Sequence, residues 1–372
     1  MSQFRSAHAA AESWRDAVAS CIRELESKPA GSNLGFVYVT DAFADDLDAI
    51  VTMLRERTGV ADWVGTVGIG ICANGIEYHS LPAISVLVGE VPGDGFRIFG
   101  TVRGNLGSFE QANAGWIEKT GSRFAIVHGD PRNSKVPALI ERLAEEINDG
   151  FVVGGLTSSR GAYAQVAGGV TEGGLSGVLF APEVAVATTL TQGCAPFGAM
   201  HEVTECERNV LIELDGKPAL DVFFDEIGEE LARDIERAAN FIGAALPVAG
   251  SDRRDFLVRN LVGADRDRKL LAIGERVEKG RQVQFCRRDP ESAERDLRTM
   301  LGELKERLPG APGGAVYYSC LGRGAHMFGP ESRELKIIRE ELGNIPLAGF
   351  FCNGEISHNR LYGYTGVLTV FL

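Results

Sequence analysis

Three stretches of this chain, 34–91, 123–182 and 315–372, read in one order: an apolar strand, a loop, an amphipathic helix, a second strand running into glycines, and a last strand. A repeat limits the fold more than any composition figure, because each copy must bury the same faces and neighbouring copies must supply the cover. In the first, a strand at 34–39 precedes a helix with Leu47, Ile50, Val51 and Leu54 on one face, stopped by Gly59. In the second, the strand 124–127 leads to His128-Gly129-Asp130-Pro131, and the helix carries Leu139, Ile140, Leu143 and Ile147. In the third, the strand 316–319 enters Cys320-Leu321-Gly322-Arg323-Gly324, a helix spans 334–342, and the strand 347–351 enters Cys352-Asn353-Gly354-Glu355. The 46 glycines in 372 residues exceed the usual ~7% and cluster at these strand ends, where backbone turns tightly or approaches something closely.

Copies one and three agree in detail. Asn74-Gly75 and Asn353-Gly354 each follow a cysteine, precede a glutamate and have a histidine five residues after the asparagine, His79 and His358; these matches place the two turns at equivalent points. The stretch between copies two and three diverges, with strands near 184–191, 210–214 and 256–261 and helices near 219–231 and 292–308. Ahead of copy one, Phe4, Ala7, Ala11, Trp14, Val18, Cys21 and Leu25 recur at spacings of three and four, so an amphipathic helix is expected over 3–27. The expected fold is therefore mixed α/β (α+β), with two domains of mixed β-sheets covered by helices, 1–215 and 216–372, built from strand-helix-strand-strand repeats.

Composition narrows the function. Thirty-eight basic against fifty-one acidic residues give a net charge of −13 with no basic run, which leaves no electrostatic footprint for nucleic acid. No apolar run reaches the ~18 residues of a membrane span, so no membrane insertion is expected. Seven scattered cysteines, an odd number, with no secretion signal, suggest reduced thiols and a cytoplasmic location.

Loops after a strand and before a helix gather ligands in open α/β sheets, which selects Cys320, Gly322, Arg323 and Gly324. Arg323 between glycines can present its guanidinium fork to a carboxylate or phosphate, and its replacement by Ala is expected to abolish binding while leaving folding nearly unchanged. Asn353, Gly354 and Glu355 form a second concentration, with Glu355 aimed at an amine or serving as a general base. Thr157, Ser158 and Asn74 complete the ligand-binding set. Thr191 to Gly198 surrounds the Cys194 thiol with turn residues. The usual catalytic motifs are missing, and the Cys194, His201, Cys206 set is too loosely spaced for zinc. Haem requires only one axial histidine in an apolar pocket; His326 and His358 are the candidates.

These segments resemble the FIST family, specifically in Cys-x-Gly-Arg-Gly at 320–324 followed by Gly-Phe-Phe-x-Asn-Gly-Glu at 349–355, and in Thr-Gln-Gly-Cys-Ala-Pro-Phe-Gly at 191–198 with Leu-Asp-Gly-Lys-Pro-Ala-Leu at 214–220. The resemblance covers nearly the whole chain. It implies an intracellular sensory protein for a small polar ligand such as an amino acid. Relatives work with histidine kinases, cyclic-di-nucleotide enzymes or chemotaxis receptors, some bind haem and sense nitric oxide, and a eukaryotic branch serves as F-box substrate receptors. No transmitter or F-box segment is recognised here, so output through a separate partner is expected. The alternatives to a ligand sensor are a haem nitric-oxide sensor and an enzyme acting on a small carboxylate or amine.

Overall fold

A computed structural model describes residues 3–25, 31–239, 241–248 and 255–372. The chain forms two compact units, Met1–Thr191 with Glu294–Leu372, and Gln192–Ala293.

The first unit holds the repeat, and each copy is longer than the sequence suggests. Copy one comprises β1 (Phe4–Ala10), α1 (Trp14–Leu25), β2 (Leu34–Thr40), α2 (Leu47–Thr58), β3 (Asp62–Gly68), the hairpin β4 (Gly70–Ala73) and β5 (Ile76–His79), and β6 (Ala83–Gly89). Copy two repeats this as β7 (Phe96–Val102), α3 (Gly107–Thr120), β8 (Phe124–Gly129), α4 (Val136–Glu146), β9 (Phe151–Leu156), β10 (Gln165–Ala167) and β11 (Val170–Thr171), and β12 (Leu175–Phe180). Copy three opens with β13 (Val186–Gln192), and the second unit intervenes before the copy resumes.

The second unit is antiparallel: β14 (Cys194–Glu207), β15 (Val210–Leu214), β16 (Lys217–Pro218), α5 (Ala219–Ala232), α6 (Ile235–Ala239), β17 (Ile242–Pro247), β18 (Phe256–Asp265), β19 (Leu270–Ile273) and β20 (Gln282–Arg288). The long β14 pairs with β20 at one end and β15 at the other, which closes the sheet into a barrel around Val203, Leu211, Leu246 and Phe285. Copy three then continues with α7 (Pro290–Arg307), β21 (Gly314–Cys320), α8 (Ala325–Phe328), α9 (Arg333–Leu342), β22 (Leu347–Cys352), β23 (Glu355–His358) and β24 (Arg360–Tyr362), and β25 (Thr365–Phe371).

Within each copy one strand (β2, β8 or β21) runs parallel to the strand after its helix (β3, β9 or β22) and antiparallel to the copy's last (β6, β12 or β25). The hairpins are exchanged in a cycle: β10 of copy two pairs with β3 of copy one, β23 of copy three with β9 of copy two, and β4 of copy one with β22 of copy three. The result is three six-stranded mixed sheets. Their inner faces share one core that includes Phe36, Ile126, Val316 and Phe371, and their outer faces are covered by each copy's own helices.

Two sets of equivalent residues carry the triplication. Gly65, Gly154 and Gly349 stand opposite Val37, Val127 and Tyr317 across the parallel pairs. A Cβ there would lie 1.7–1.8 Å from the facing carbonyl oxygen in every copy, so only glycine fits. Tyr38, His128 and Tyr318, each the fifth residue of β2, β8 or β21, meet at the centre: the tyrosine hydroxyls are 2.9 Å apart, and His128 Nε2 lies 3.3 Å from Tyr38 Oη. All three rings pack on Phe350. Burial lowers the His128 pKa to about 3, so the ring is neutral.

Two sequence expectations are corrected. The helix expected over 3–27 is a strand followed by a helix, with its last two positions outside the described residues. A spacing of three put Phe4 and Ala7 on one helical face, but in β1 they point to opposite faces, Phe4 into the shared inner core and Ala7 beneath α1 and α2. Both are buried because the sheet is covered on both sides. Asn74-Gly75 and Asn353-Gly354 are also not equivalent. The former closes the β4–β5 hairpin, whereas the latter joins β22 to β23; register makes Glu355 the counterpart of Gln165 and Ile71.

Candidate functional site

At the carboxyl end of β21 the backbone turns through Gly324, whose φ of 54° and ψ of −137° suit only glycine, into the short α8. The turn folds Arg323 inward beneath Phe328, whose ring centroid lies 4.9 Å from the guanidinium carbon. Arg323 is fully buried, and its Nε donates to Glu334 Oε1 at 2.8 Å from the first turn of α9. Glu334 is also fully buried and accepts further bonds from Tyr317 Oη (2.6 Å), Ser319 Oγ (3.1 and 3.2 Å) and the Gly324 amide (2.9 Å). Burial opposes the Arg323 charge, but Glu334 and Tyr317 outweigh it and hold its pKa above the ordinary value. The sequence expectation that Arg323 is dispensable for folding is therefore corrected: removing it strands a buried carboxylate.

Arg323 is incompletely used. Neither Nη1 nor Nη2 has a hydrogen-bond partner of ordinary geometry, although both are buried. Two arginines of copy two, by contrast, each close two nitrogens on one carboxylate. Arg160 grips Asp41 through Nε and Nη2, both at 2.7 Å, and Arg132 holds Asp130 through the same two nitrogens while solvent reaches the rest of each side chain.

Glu355 lies close enough for the Arg323 charge and the Cys320 thiol to act on it. Its Oε2 accepts from the Thr365 amide (3.1 Å) and Thr365 Oγ1 (2.8 Å), and its Oε1 has no partner. Burial raises its pKa to about 8, against the opposing pull of Thr365 and Arg323. Copy one contributes Glu77 through its exchanged hairpin. A Cβ on Gly324 would come within 3.0 Å of Glu77 Oε2, which bonds His79 Nε2 at 3.0 Å, and Glu77 Oε1 is again buried without a partner. Burial raises Glu77 as well, the His79 bond opposing and Glu334 adding. Two guanidinium nitrogens and two carboxyl oxygens in one buried neighbourhood thus lack partners, an arrangement native proteins seldom leave without a purpose.

The structure brings Cys320, Gly322, Arg323, Gly324 and Glu355 together. Cys320 is half-buried and its Sγ accepts the Gly322 amide at 3.5 Å; burial and Glu355 push the thiol well above its ordinary range. Other expected residues are engaged in holding the fold. Ser158 Oγ donates to the Phe351 carbonyl and accepts the Ile69 amide, and Thr157 Oγ1 bonds Thr66 Oγ1 at 2.7 Å. The Asn353 side chain is exposed; its backbone N–H donates to the Leu156 carbonyl, and the Leu156 N–H donates to the Gly354 carbonyl. Asn74 bonds Asn344 and lines a separate open cleft of about 630 Å³ with Arg5, His8 and Glu24. Cys194 begins the long β14 rather than a turn.

The structure places the two haem candidates on different elements, α8 and β23. His326 is exposed on a four-residue helix, and His358 closes the β23–β24 hairpin with its ring on Phe151, centroids 5.1 Å apart.

Sequence reasoning missed Glu334 and Glu77. Glu334 lies inside an ordinary amphipathic helix, and Glu77 stands in Asn-Gly-x-Glu at 74–77, where nothing local shows that its hairpin joins another copy's sheet.

The FIST N domain model matches residues 33–217 and the FIST C domain model residues 219–358. The chain belongs to the FIST family. Its Mycobacterium tuberculosis relative "Uncharacterized protein Rv0628c" is 33% identical over 349 residues, covering 90% of this chain and 88% of that one. The Mycobacterium bovis "Uncharacterized protein Mb0898c" is 32% identical over 348 residues with the same coverage. Among solved structures, "T. maritima PurL complexed with ADP" aligns with all of this FIST chain and 71% of that chain, but at 12% identity and a TM-score of 0.25 the likeness carries no argument. No helix among the described residues of this FIST protein is long and apolar enough to cross a membrane.

Proposed function

We propose that this FIST protein is a sensor that binds a small anion at Arg323. The carrying observation is the contrast among its arginines: Arg132 and Arg160 each close a two-nitrogen fork on a carboxylate, whereas buried Arg323 spends only Nε on Glu334 and leaves Nη1 and Nη2 for a ligand. Two parallel N–H bonds to one carboxylate or phosphate are the natural complement of those nitrogens. The glycines at 322 and 324 give the ligand access to main chain, and entry requires α8 and Phe328 to shift, which is the difference a partner would read. Output through a separate histidine kinase or cyclic-di-nucleotide enzyme belongs to the same reading and rests on family resemblance alone.

The test is Arg323→Lys, which keeps a cation for Glu334 but removes the fork. In a thermal-shift screen of small carboxylates and phosphates, the parent protein should be stabilised by at least one compound and the variant, folded by circular dichroism, should bind it at least tenfold more weakly. Equal binding by both would defeat the assignment, and conversion of the bound compound to product would move the protein to the enzyme reading.

A further inference from the structure

Glu355 stands in the anion site with one oxygen committed and one open. Oε2 already accepts two donors from Thr365, the geometry of a carbonyl-type oxygen, so a proton on this carboxyl belongs on Oε1, the oxygen without a partner. Around Glu355 stand the Cys320 thiol on β21, the Cys352 thiol on β22, Tyr362 in register on β24, Thr365 on β25 and the Arg323 guanidinium. Its partner on β9 is Gly155, which brings no titratable group. Arg323 is the only permanent charge in that set, and it is engaged by Glu334. Glu355 therefore differs from its counterpart Ile71, which offers no proton, and from Gln165, whose amide is consumed by Gly174 and Ser176.

We infer that Glu355 is a hydrogen-bond donor to the bound anion: its Oε1–H and the two terminal nitrogens of Arg323 together hold an oxyanion, so the site selects a carboxylate or similar oxyanion and does not take an ammonium group at Glu355. This rests on the anion-binding reading above and fixes the ligand's chemistry at the second pole, where the sequence alone suggested an amine or a general base. The raised pKa, near 8, keeps the donor present at neutral pH. An oxyanion loses that donor and gains a repelling carboxylate as the pH passes that value.

The probe is sodium formate against equimolar sodium chloride, read as the shift in unfolding midpoint at about pH 6 and about pH 9.5, on either side of the Glu355 value. The parent protein should bind formate at the lower pH and more than tenfold more weakly at the higher. Glu355→Gln, whose amide donates at any pH, should bind with little difference between the two. Infrared difference spectra of parent minus Glu355→Gln at the lower pH should show a protonated carboxyl stretch. Formate binding that is constant or stronger at the higher pH, a folded Glu355→Gln that no longer binds, or a missing carboxyl stretch overturns the inference. Formate that fails to bind the parent at either pH, with the carboxyl stretch present, overturns the anion reading together with the donor role that rests on it.

Discussion

Glu334→Gln isolates the buried ion pair with almost no change in volume. Four donors converge on this carboxylate, from Tyr317, Ser319, Arg323 and Gly324, and both charged side chains are fully buried. The amide has one accepting oxygen in place of two and turns an NH₂ group toward a neighbouring donor. It also leaves the guanidinium without its counter-charge. Breaking one side of a buried pair costs about 3–5 kcal/mol, and the hydrogen bonds are part of that figure because neighbours in one network do not add. Urea unfolding followed by tryptophan fluorescence is the assay, since the three tryptophans, Trp14, Trp63 and Trp116, all lie in the unit that contains Glu334. The midpoint should fall by the equivalent of about 3–5 kcal/mol with the slope unchanged. Replacing both partners, as Arg323→Met with Glu334→Leu, should recover much of the loss. A deficit below about 1 kcal/mol for Glu334→Gln would refute the reasoning, because it would show that the guanidinium is not held in a dry environment by this carboxylate alone.

Two further perturbations test the frame around the site. Gly65→Ala, Gly154→Ala and Gly349→Ala should each destabilise the protein by about 2 kcal/mol or more, because each Cβ meets a carbonyl oxygen; Gly115→Ala, in open space on α3, should gain about 1 kcal/mol, and thermal melts of the set decide whether the three positions are equivalent. His128, buried neutral with its pKa lowered to about 3, binds its proton more readily when unfolded, so its contribution to stability is complete above about pH 6.5 and is lost as pH falls toward 3; His128→Gln should flatten that acid limb, and an unchanged limb would contradict the buried neutral ring.

The triplicate order of strands and helices was legible because each strand and helix carries its own hydrophobic period, and the strand-end loops of copy three pointed to Arg323 and Glu355. What the sequence concealed was partnership. A hairpin that pairs within its own copy and one that pairs with another have the same local pattern, so Asn74-Gly75 was aligned with Asn353-Gly354 although register separates them. Phe4 and Ala7 looked like one helical face because a doubly covered strand buries both of its sides. Glu334 lies eleven residues from Arg323 inside a helix whose sequence signals only amphipathicity; nothing in its spacing announces four converging donors. Glu355, by contrast, was found on composition and turn chemistry, while its protonation depends on burial that only packing supplies.

The exchange of hairpins has a consequence for how the protein is made. No copy completes its own sheet: copy one waits for β10 of copy two, copy two waits for β23 of copy three, and copy three closes on β4 of copy one, while β13 is separated from β21 by the whole second unit. Most of the stabilising pairings therefore join residues far apart in sequence, which slows folding. A nascent chain that has finished copies one and two still exposes the edge of β9 until β23 is synthesised. The protein should accordingly depend on the ribosome and chaperones to shield that edge, and it should pass from unfinished to native in one late step rather than copy by copy.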